Sequence, residues 1–373
     1  MSKTGGGMVI FLSLFFLFIF LTPIDVLAAY HFAQFKARPP IHIYARGLSA
    51  PMGLSPVAIK KVYHLPATGG NGTVAIIGAY DDDNIEKDLN IFSKQFNLPE
   101  CTSKNGCFEK YAIGAPKKDS GWSLETSLDV EWAHAIAPQS KILLVEAKTP
   151  SGQNLLDAID YATKQKDVVA VSMSWGGAEF LEETKLDDHF PGDRDISFFA
   201  SSGDDGTGAS WPAASPNVIA VGGTSLSFNN DGSLKKEIAW SGSGGGISAY
   251  EVQPDYQKNY YIKKAGGYRA IPDVSYNADP ATGFSVYRTT GNSKKSWYTL
   301  GGTSAGAPQW AAIHALGLSA TNKNFYSDKA SDKNYNYFRD IVSGQNGDCG
   351  YLCSARKHYD YVTGLGSPLT INF

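Results

Sequence analysis

Short apolar segments alternate with helical patterns along the middle of this chain, and this alternation constrains the fold more than any other feature. Runs rich in β-branched and apolar residues predict buried strands at residues 73–79, 141–146, 168–173, 196–200 and 218–221. Helical spacing predicts helices at residues 83–96, 124–137, 152–164 and 304–321. Continuous apolar strands that alternate with helices are typical of a parallel sheet covered on both faces. We predict an α/β, doubly wound fold with its site at the carboxyl ends of the strands.

Composition and charge restrict the class of protein. Of the 373 residues, 43% are hydrophobic and 18% are charged, a balance typical of a globular chain. The net charge of −3 gives no electrostatic reason to expect nucleic acid or an anionic membrane as a partner. We predict a short Pro-containing lead at residues 29–50, then one domain from residue 51 to 373, and we expect a monomer.

The N-terminus has the features of a signal peptide. Lys3 supplies a positive charge, residues 9–21 form an apolar run, and Ala28 ends a stretch of small residues suited to cleavage. A permanent anchor helix is the alternative, but the run is shorter than the roughly 20 residues that a span needs. We predict a signal peptide at residues 1–28 and a secreted, extracellular protein with no later membrane segment.

The four cysteines form two close pairs along the chain. Cys101 lies near Cys107, and Cys349 lies near Cys353. In an oxidising compartment each pair could close a small loop as a disulfide. A zinc site with four cysteine ligands is the alternative, but these spacings do not match the usual zinc motifs.

A serine stands at the start of the last predicted helix. Ser304 follows Gly-Gly-Thr, and Pro308 falls in the first turn, where proline is tolerated best. Unpaired backbone N–H groups at a helix N-terminus stabilise developing negative charge, as acyl transfer requires. Ser304 is therefore a candidate nucleophile. The alternative is that its hydroxyl only caps the helix.

A serine nucleophile needs a base, and two carboxylates suit that role better than any histidine. None of the seven histidines lies in a His-Gly-Thr context. Glu125 and Asp129 are four residues apart and share one helical face. If they are buried and share a proton, Asp129 can orient Glu125, and Glu125 can act as general base toward Ser304. A solvated helix face is the alternative.

A loop rich in Gly and Asp follows the strand at 196–200. Its Asp204 would lie at a strand end, where the site of an α/β fold is built. A protonated Asp204 could donate a hydrogen bond to an oxyanion, whereas an ionised one would repel it. An ordinary turn is the alternative.

These fragments, in this order, resemble the sedolisins, or serine-carboxyl peptidases. The likeness covers about residues 55–368, including the runs at 125–138, 172–177, 203–204, 240–246 and 301–308. The resemblance implies a subtilisin-like fold and a secreted, acid-acting endopeptidase that cleaves proteins or peptides. It implies four catalytic residues: the nucleophile Ser304, the base Glu125, its orienting partner Asp129 and the oxyanion partner Asp204. It also implies that Ser174, Trp175 and Gly176 bind substrate, although Trp175 could instead be ordinary core packing.

The resemblance further implies one Ca²⁺ ion near the C-terminus. Asp340 and Asp360 would give carboxylate oxygens, and Ile341, Arg356 and His358 would give carbonyl oxygens. The family usually has glycines where this chain has Arg356 and His358. The alternative is that the two aspartates are plain surface residues.

The predicted chemistry has consequences for pH and for rival hypotheses. Carboxyl groups must both accept and keep protons, so we expect an optimum of about pH 3 to 5. Only residues 29–50 separate the signal peptide from the catalytic region, so we expect a member without the family's long propeptide. The rivals are a Ser-His-Asp hydrolase on the same fold, with His134 or His64 as base, and a catalytically silent secreted binding protein.

Overall fold

The computed structural model describes residues 32–192, 195–290, 294–318, 320–327 and 337–369. The predicted signal peptide at residues 1–28 lies outside these ranges. Across the described residues, no helix is long and apolar enough to cross a bilayer.

The strands are numbered here in chain order. They are β1 His42–Leu48, β2 Thr73–Ala79, β3 Phe108–Ala112, β4 Lys141–Ala147, β5 Val168–Met173, β6 Gly177–Ala178, β7 Ser197–Ser201, β8 Ser210–Trp211, β9 Val218–Phe228, β10 Leu234–Ala239, β11 Gly246–Val252, β12 Tyr268–Ile271, β13 Val274–Asn277, β14 Phe284–Thr290, β15 Lys294–Gly301, β16 Phe338–Arg339 and β17 Ser367–Pro368.

The α-helices are numbered in the same way. They are α1 Pro56–Val62, α2 Ile85–Gln95, α3 Ser120–Ile136, α4 Gly152–Ala162, α5 Asp255–Tyr260, α6 Gly306–Ala315 and α7 Asn322–Phe325. Short 3₁₀ turns lie at Glu183–His189, Pro280–Thr282, Thr303–Ala305 and Gly350–Cys353.

The central sheet has eight strands. Its order is β10-β9-β7-β5-β2-β4-β3, and β13 also pairs with β9. The neighbouring pairs are parallel except β10 with β9, which is antiparallel. The predicted α/β fold with a mostly parallel sheet is therefore confirmed.

Alternate residues of β2 face two separate hydrophobic cores. Val74 and Ile76 belong to the core that includes α3 and α6, whereas Ala75 and Ile77 belong to the core that includes α4. Side chains of a strand alternate between faces, so a central strand covered by helices on both sides is apolar throughout. This geometry explains why the strand appears in the sequence as an unbroken apolar run.

Predicted and observed helices agree in position and differ at their ends. The helix predicted at 304–321 is shorter: α6 begins at Gly306, after the 3₁₀ turn, and ends at Ala315. Gly317 adopts a φ of 107°, a conformation outside the helix that glycine tolerates and other residues rarely adopt. Helix α3 begins earlier than predicted because the Asp119 side chain caps it, accepting bonds from the N–H groups of Gly121 and Trp122.

A second, antiparallel sheet of order β1-β15-β14 was not predicted. Strand β1 comes from the N-terminal lead and pairs with β15, so that His42 lies opposite Gly301. Strand β15 leads directly into the Ser304 turn. The lead is therefore in contact with the segment that carries the candidate nucleophile.

Both predicted disulfides are present. Cys101 is bonded to Cys107, and Cys349 is bonded to Cys353. The cysteines are thus unavailable as zinc ligands, and the alternative of a four-cysteine zinc site is wrong.

Candidate active site

Ser304 lies in the 3₁₀ turn between β15 and α6, and it is fully buried. Within the described residues, its Oγ has no hydrogen-bond partner. The hydroxyl therefore does not cap the helix, and the capping alternative is wrong. A buried hydroxyl without a partner is costly for the fold, which is a reason to look for a chemical role.

Glu125 and Asp129 face the same buried space one turn apart on α3. Each side chain is 2% exposed, so the alternative of a solvated helix face is wrong. Burial raises the pKa of Glu125 well above its ordinary value, and the neighbouring Asp129 raises it further, while the Ser304 hydroxyl lowers it. Like charges this close cannot both ionise at low cost, so the pair retains a proton that a lone carboxyl would have lost.

The effect of Ser304 on the pKa of Glu125 indicates that the two groups are neighbours. Both Glu125 oxygens and the Ser304 Oγ nevertheless lack a hydrogen bond of regular geometry within the described part of the chain, although Asp129 lies close enough to Glu125 to share a proton with it. Glu125 and Ser304 therefore lie close to each other without a hydrogen bond of regular geometry in this conformation. Catalytic hydrogen bonds commonly tighten only when substrate is bound.

The Ser174 hydroxyl joins the carboxyl pair to the nucleophile's backbone. Its Oγ lies 2.7 Å from Asp129 Oδ1 and 3.1 Å from the carbonyl oxygen of Ser304. A hydroxyl has one proton, so it cannot donate to both oxygens at once. The Ser174 hydroxyl therefore donates to one of the two oxygens at a time, and its donation to Asp129 lowers the pKa of that carboxyl in part. The sequence predicted Ser174 as a substrate-binding residue, and this side-chain connection was not anticipated.

Asp204 follows β7 and is fixed to the Ser304 turn by Thr303. The backbone N–H and the hydroxyl of Thr303 both donate to Asp204 Oδ1, at 2.8 and 2.7 Å. Burial raises the pKa of Asp204, although His42 and Thr303 lower it in part. Nothing in the Gly-Thr-Ser motif indicated that the threonine would bind a loop a hundred residues earlier in the chain.

His42 is the second residue of this site that the sequence did not indicate. Its Nε2 lies 3.1 Å from Asp204 Oδ2, and about half of the side chain is exposed. The hydrogen bond to Asp204 raises the pKa of the imidazole. No local pattern around His42 predicts this contact, because the sheet pairing of β1 with β15 creates it.

The other described histidines make contacts elsewhere. His134 Nε2 contacts the Pro99 carbonyl, and His64 Nδ1 contacts the Leu369 carbonyl. His314 Nδ1 accepts from the Ala320 N–H. These contacts offer no support for a Ser-His-Asp arrangement at Ser304.

The segment after β5 forms one wall of a cleft of about 770 Å³ beside Asp204. Gly176 lines this cleft, and its backbone N–H and carbonyl are bonded to the carbonyl and the N–H of Arg38. Trp175 is fully buried, and its Nε1 donates to the Ile77 carbonyl at 2.9 Å. The indole therefore lies in the core, as the alternative interpretation had it, and does not line the cleft.

The residues of the predicted calcium site come together near the C-terminus. The N–H of His358 donates to Asp340 Oδ2 at 3.0 Å, and the N–H of Arg356 donates to Asp360 Oδ2 at 2.9 Å. Ile341 follows Asp340 and is buried. His358 has a φ of 68°, so this histidine adopts a conformation that favours the glycine usual at its position in the family.

Asp360 is the residue that best tests whether a cation fits. It is 1% exposed, and no cationic side chain forms an ion pair with it among the described residues. The N–H groups of Val362 and Thr363 donate to its Oδ1, each at 2.8 Å. A buried carboxylate is an oxygen ligand of the kind that Ca²⁺ takes, so Asp360 fits such an ion.

Known proteins are similar to this chain in both sequence and fold. The model of the subtilase family matches residues 112–337. Sedolisin of Pseudomonas sp. (strain 101) is 28% identical over 363 residues, covering 84% of this chain and 60% of its own length. Kumamolisin of Bacillus sp. (strain MN-32) is 29% identical over 372 residues, covering 87% and 63%. The chain thus spans about 60% of the length of the curated relatives that it matches.

A solved structure has a fold similar to that of this chain. Pseudomonas sedolisin, described as a serine-carboxyl proteinase complexed with two molecules of pseudo-iodotyrostatin, superposes with a TM-score of 0.73 at 26% identity. The match covers 86% of this chain and 96% of that chain. The subtilisin-like fold predicted from the sequence is therefore confirmed.

Proposed function

The chain belongs to the subtilase family, and from that premise we propose that it is an acid-acting serine-carboxyl endopeptidase. The observation that carries the proposal is the meeting of Ser304, Glu125 and Asp129 in one buried space, with Ser304 Oγ and both Glu125 oxygens free of hydrogen bonds among the described residues. A fold that leaves a hydroxyl and a carboxylate without partners tolerates a cost that chemistry at these groups would explain.

The first step is attack on the peptide carbonyl. Glu125 takes the proton of Ser304 as the Oγ–carbon bond forms, and the carbonyl oxygen becomes an oxyanion. Glu125 and Asp129 share one proton, so the pair carries a single negative charge, and Glu125 can accept the proton of Ser304 when the shared proton lies on Asp129. Shared protonation of this kind explains why two carboxyls are used rather than one.

Asp204 suits the role of oxyanion donor. Thr303 already occupies its Oδ1 with two donors, which leaves Oδ2 to carry a proton toward substrate. Because burial raises the pKa of Asp204, this carboxyl holds its proton at a higher pH than an ordinary aspartate. A protonated Asp204 and backbone N–H groups at the Ser304 turn would together stabilise the oxyanion.

The later steps return the protons. Glu125 gives its proton to the leaving amine as the carbon–nitrogen bond breaks, which leaves an acyl group on Ser304. Water then attacks the acyl carbon, Glu125 takes a proton from that water, and Ser304 recovers a proton as the acid product leaves. The substrate backbone would pair with the edge at Ser174 to Gly176, and protein or peptide chains are the substrate class.

We further propose that one Ca²⁺ ion binds near the C-terminus. The carboxylates of Asp340 and Asp360 and the carbonyls of Ile341, Arg356 and His358 would hold it. The ion would stabilise the loops that carry these residues and would take no part in the acyl transfer. We also propose that the protein is a secreted monomer, and its two disulfides support an oxidising compartment.

The decisive experiment compares four proteins on a mixed peptide library across roughly pH 3 to 8. They are the wild type, Ser304→Ala, Glu125→Gln and the control Glu131→Gln. Glu131 is a good control because it is also buried on α3, but its Oε2 accepts the Tyr287 N–H at 3.0 Å.

We expect Glu125→Gln to lower kcat about 10²- to 10⁴-fold, and Ser304→Ala to lower it by on the order of 10⁶-fold. Glu131→Gln should keep most of the activity, with an optimum at about pH 3 to 5. Cleavage positions within the library separate endo- from exopeptidase action. Equal products from all four proteins, or a rate that peaks near pH 8, would contradict the proposal.

A further inference from the structure

The loop at residues 203–208 carries Asp204 and lines the cleft that the proposed function assigns to substrate. On the side of the nucleophile, Thr303 donates both its backbone N–H and its hydroxyl proton to Asp204 Oδ1. The Gly203 N–H donates to the Thr303 hydroxyl oxygen at 3.1 Å. These bonds fix the start of the loop, whereas the contacts that fix residues 206–208 come from other segments of the chain.

A disulfide-closed hairpin at residues 344–355 lies against the far end of this loop. The bond between Cys349 and Cys353 closes the tip of the hairpin. At its base the Ala355 N–H donates to the Gly344 carbonyl at 3.0 Å. A disulfide restricts the freedom of the chain that it closes, so this hairpin is a constrained support rather than a free surface loop. We call residues 344–355 the disulfide hairpin.

The backbone of Asn346 joins the disulfide hairpin to the Asp204 loop. The Thr207 N–H donates to the Asn346 carbonyl at 3.2 Å. The same carbonyl oxygen lies so near Gly206 that a Cβ there would be 2.4 Å from it, so only glycine permits this approach. The Thr207 hydroxyl also lies 3.9 Å from the Cys349 Sγ. The loop therefore packs directly on the backbone of the hairpin.

The side chain of Asn346 binds a third segment. Its Nδ2 donates to the Ser243 carbonyl at 2.7 Å, and the residue is only 5% exposed. The Asn346 N–H donates to the Cys353 carbonyl at 3.0 Å, next to the disulfide. The segment that contains Ser243 also contacts the loop, because the Gly206 N–H donates to the Gly242 carbonyl at 3.0 Å. One buried asparagine thus connects the loop, the disulfide hairpin and the segment around Ser243.

We propose that Asn346, held in place by the Cys349–Cys353 disulfide, is a positioning residue that fixes Asp204 for the oxyanion. The proposal rests on the proposed peptidase function, because Asp204 acts as an oxyanion donor only in that reaction. Asn346 does not line the cleft and acts through residues 206 and 207 of the loop. A donor to an oxyanion has to be held within about 0.5 Å of its productive position, so support behind the loop affects the rate.

The position of the loop also sets the pH range in which Asp204 keeps its proton. Burial is the main cause of the raised pKa of Asp204, and its titratable neighbours are His42, which lowers that pKa, and Glu125. A loop released from Asn346 would expose the carboxyl to water, and the pKa of Asp204 would return toward its ordinary value. The oxyanion donor has to be protonated, so activity is lost as the pH rises through this pKa. A lower pKa of Asp204 moves that limb of the pH profile to lower pH.

Two asparagines in the two disulfide loops give a matched pair of variants. Asn346→Ala removes the bond to the Ser243 carbonyl. Asn105→Ala is the control, because Asn105 Oδ1 accepts from the N–H groups of Thr102 and Cys107 inside the other disulfide loop. Asn346→Ala should lower kcat about 10- to 100-fold with little change in KM, and should move the upper limb of the pH profile to lower pH. Asn105→Ala should match the wild type in both.

A second pair of variants tests the disulfides themselves. Each double replacement by serine, at Cys349 and Cys353 or at Cys101 and Cys107, opens one short loop that contains one fully buried cysteine. Both replacements should lower the melting temperature. Only the first should also lower kcat and shift the upper limb of the pH profile. Equal effects of the two replacements on kcat would overturn the proposal, because the disulfide hairpin would then contribute to stability alone.

The pKa of Asp204, followed by NMR of carboxyl-labelled full-length protein that carries Ser304→Ala, is a readout independent of activity. The Asp204 signal is identified by its loss in Asp204→Asn. A lower pKa in Asn346→Ala than in Asn105→Ala, with no hydrolysis by the wild type, would support the positioning role and reject the peptidase. Hydrolysis by the wild type with an unchanged kcat and an unchanged Asp204 pKa in Asn346→Ala would overturn the positioning role and leave the peptidase standing.

Discussion

The catalytic carboxyls and the Arg269–Asp273 pair are equally hidden from water, yet their surroundings differ. Arg269 donates to both Asp273 oxygens, at 2.8 and 2.5 Å, and both side chains are fully buried. Tyr326 and the Ala220 N–H also donate to Asp273, each at 2.8 Å. Glu125, in contrast, has no cation beside it within the described residues, and its close neighbours are the Asp129 carboxyl and the Ser304 hydroxyl.

The difference separates a structural use of buried charge from a chemical one. Burying a charge is costly unless an opposite charge and hydrogen bonds compensate it. At Asp273 the cation and the hydrogen-bond donors compensate the cost of burying the carboxylate, so this group stays ionised. The Arg269–Asp273 pair also joins β12 to the central sheet through the Ala220 N–H. At Glu125 no cation compensates the charge, so the proton that it shares with Asp129 can shift and Glu125 can exchange a proton with Ser304.

The largest expected effect comes from a substitution that breaks the Arg269–Asp273 pair. Arg269→Met leaves Asp273 buried without its cation, so the free energy of unfolding should fall by about 3–5 kcal/mol. Denaturant unfolding of the Ser304→Ala protein, which avoids self-digestion, measures this value. Lys258→Met removes an exposed ion pair with Asp255 and should cost less than about 1 kcal/mol. Equal losses in the two variants would show that Arg269 carries no special role.

The next effect concerns Asp360, whose buried charge is compensated less fully than that of Asp273 and more fully than that of Glu125. Backbone N–H groups donate to its carboxylate, but no cationic side chain pairs with it among the described residues. A bound Ca²⁺ ion would therefore compensate its buried negative charge. Calcium at a hundred times its dissociation constant should stabilise the Ser304→Ala protein by about 2.7 kcal/mol. Calorimetric titration should detect one site in the wild type and none in Asp340→Asn, with Asp255→Asn as control. An unchanged melting temperature with calcium and with a chelator would contradict the site.

Per pH unit, the smallest effect is the pH dependence of stability. The pKa values of Glu125 and Asp129 are raised in the fold, so the folded chain keeps protons that the unfolded chain loses. Their contribution is complete below about pH 4, the ordinary pKa of a carboxyl, and is lost as the pH rises through the folded values. Stability should fall by about 1.4 kcal/mol per pH unit for each retained proton.

Asp129→Asn should flatten this slope when unfolding of the Ser304→Ala protein is followed from about pH 4 to 8. Asp157→Asn, on the exposed face of α4, is the matched control and should leave the slope unchanged. A slope that survives in Asp129→Asn would show that the retained protons belong to other buried carboxyls.

The sequence allowed prediction of the sheet and of the candidate catalytic residues, because both leave local patterns. Strand β5 was predicted at its observed bounds, since a strand buried on both faces must be apolar at every position. Glu125 and Asp129 were paired by helical spacing alone. Burial of α3 from Trp122 to Ile136 was beyond that spacing, because it depends on β14 and α6 packing against the helix.

The sequence by itself determined the order of the elements, the disulfide pairs and the residue types available for chemistry. Only the tertiary structure decided that Thr303 holds Asp204, that Trp175 belongs to the core, and that residues 38–42 line the cleft. Each of these depends on contacts between segments far apart in the chain, which no local pattern encodes. Periodicity indicates which side of a strand or helix is buried. Which residues pack against that side is determined only by the tertiary arrangement of the sheets and helices.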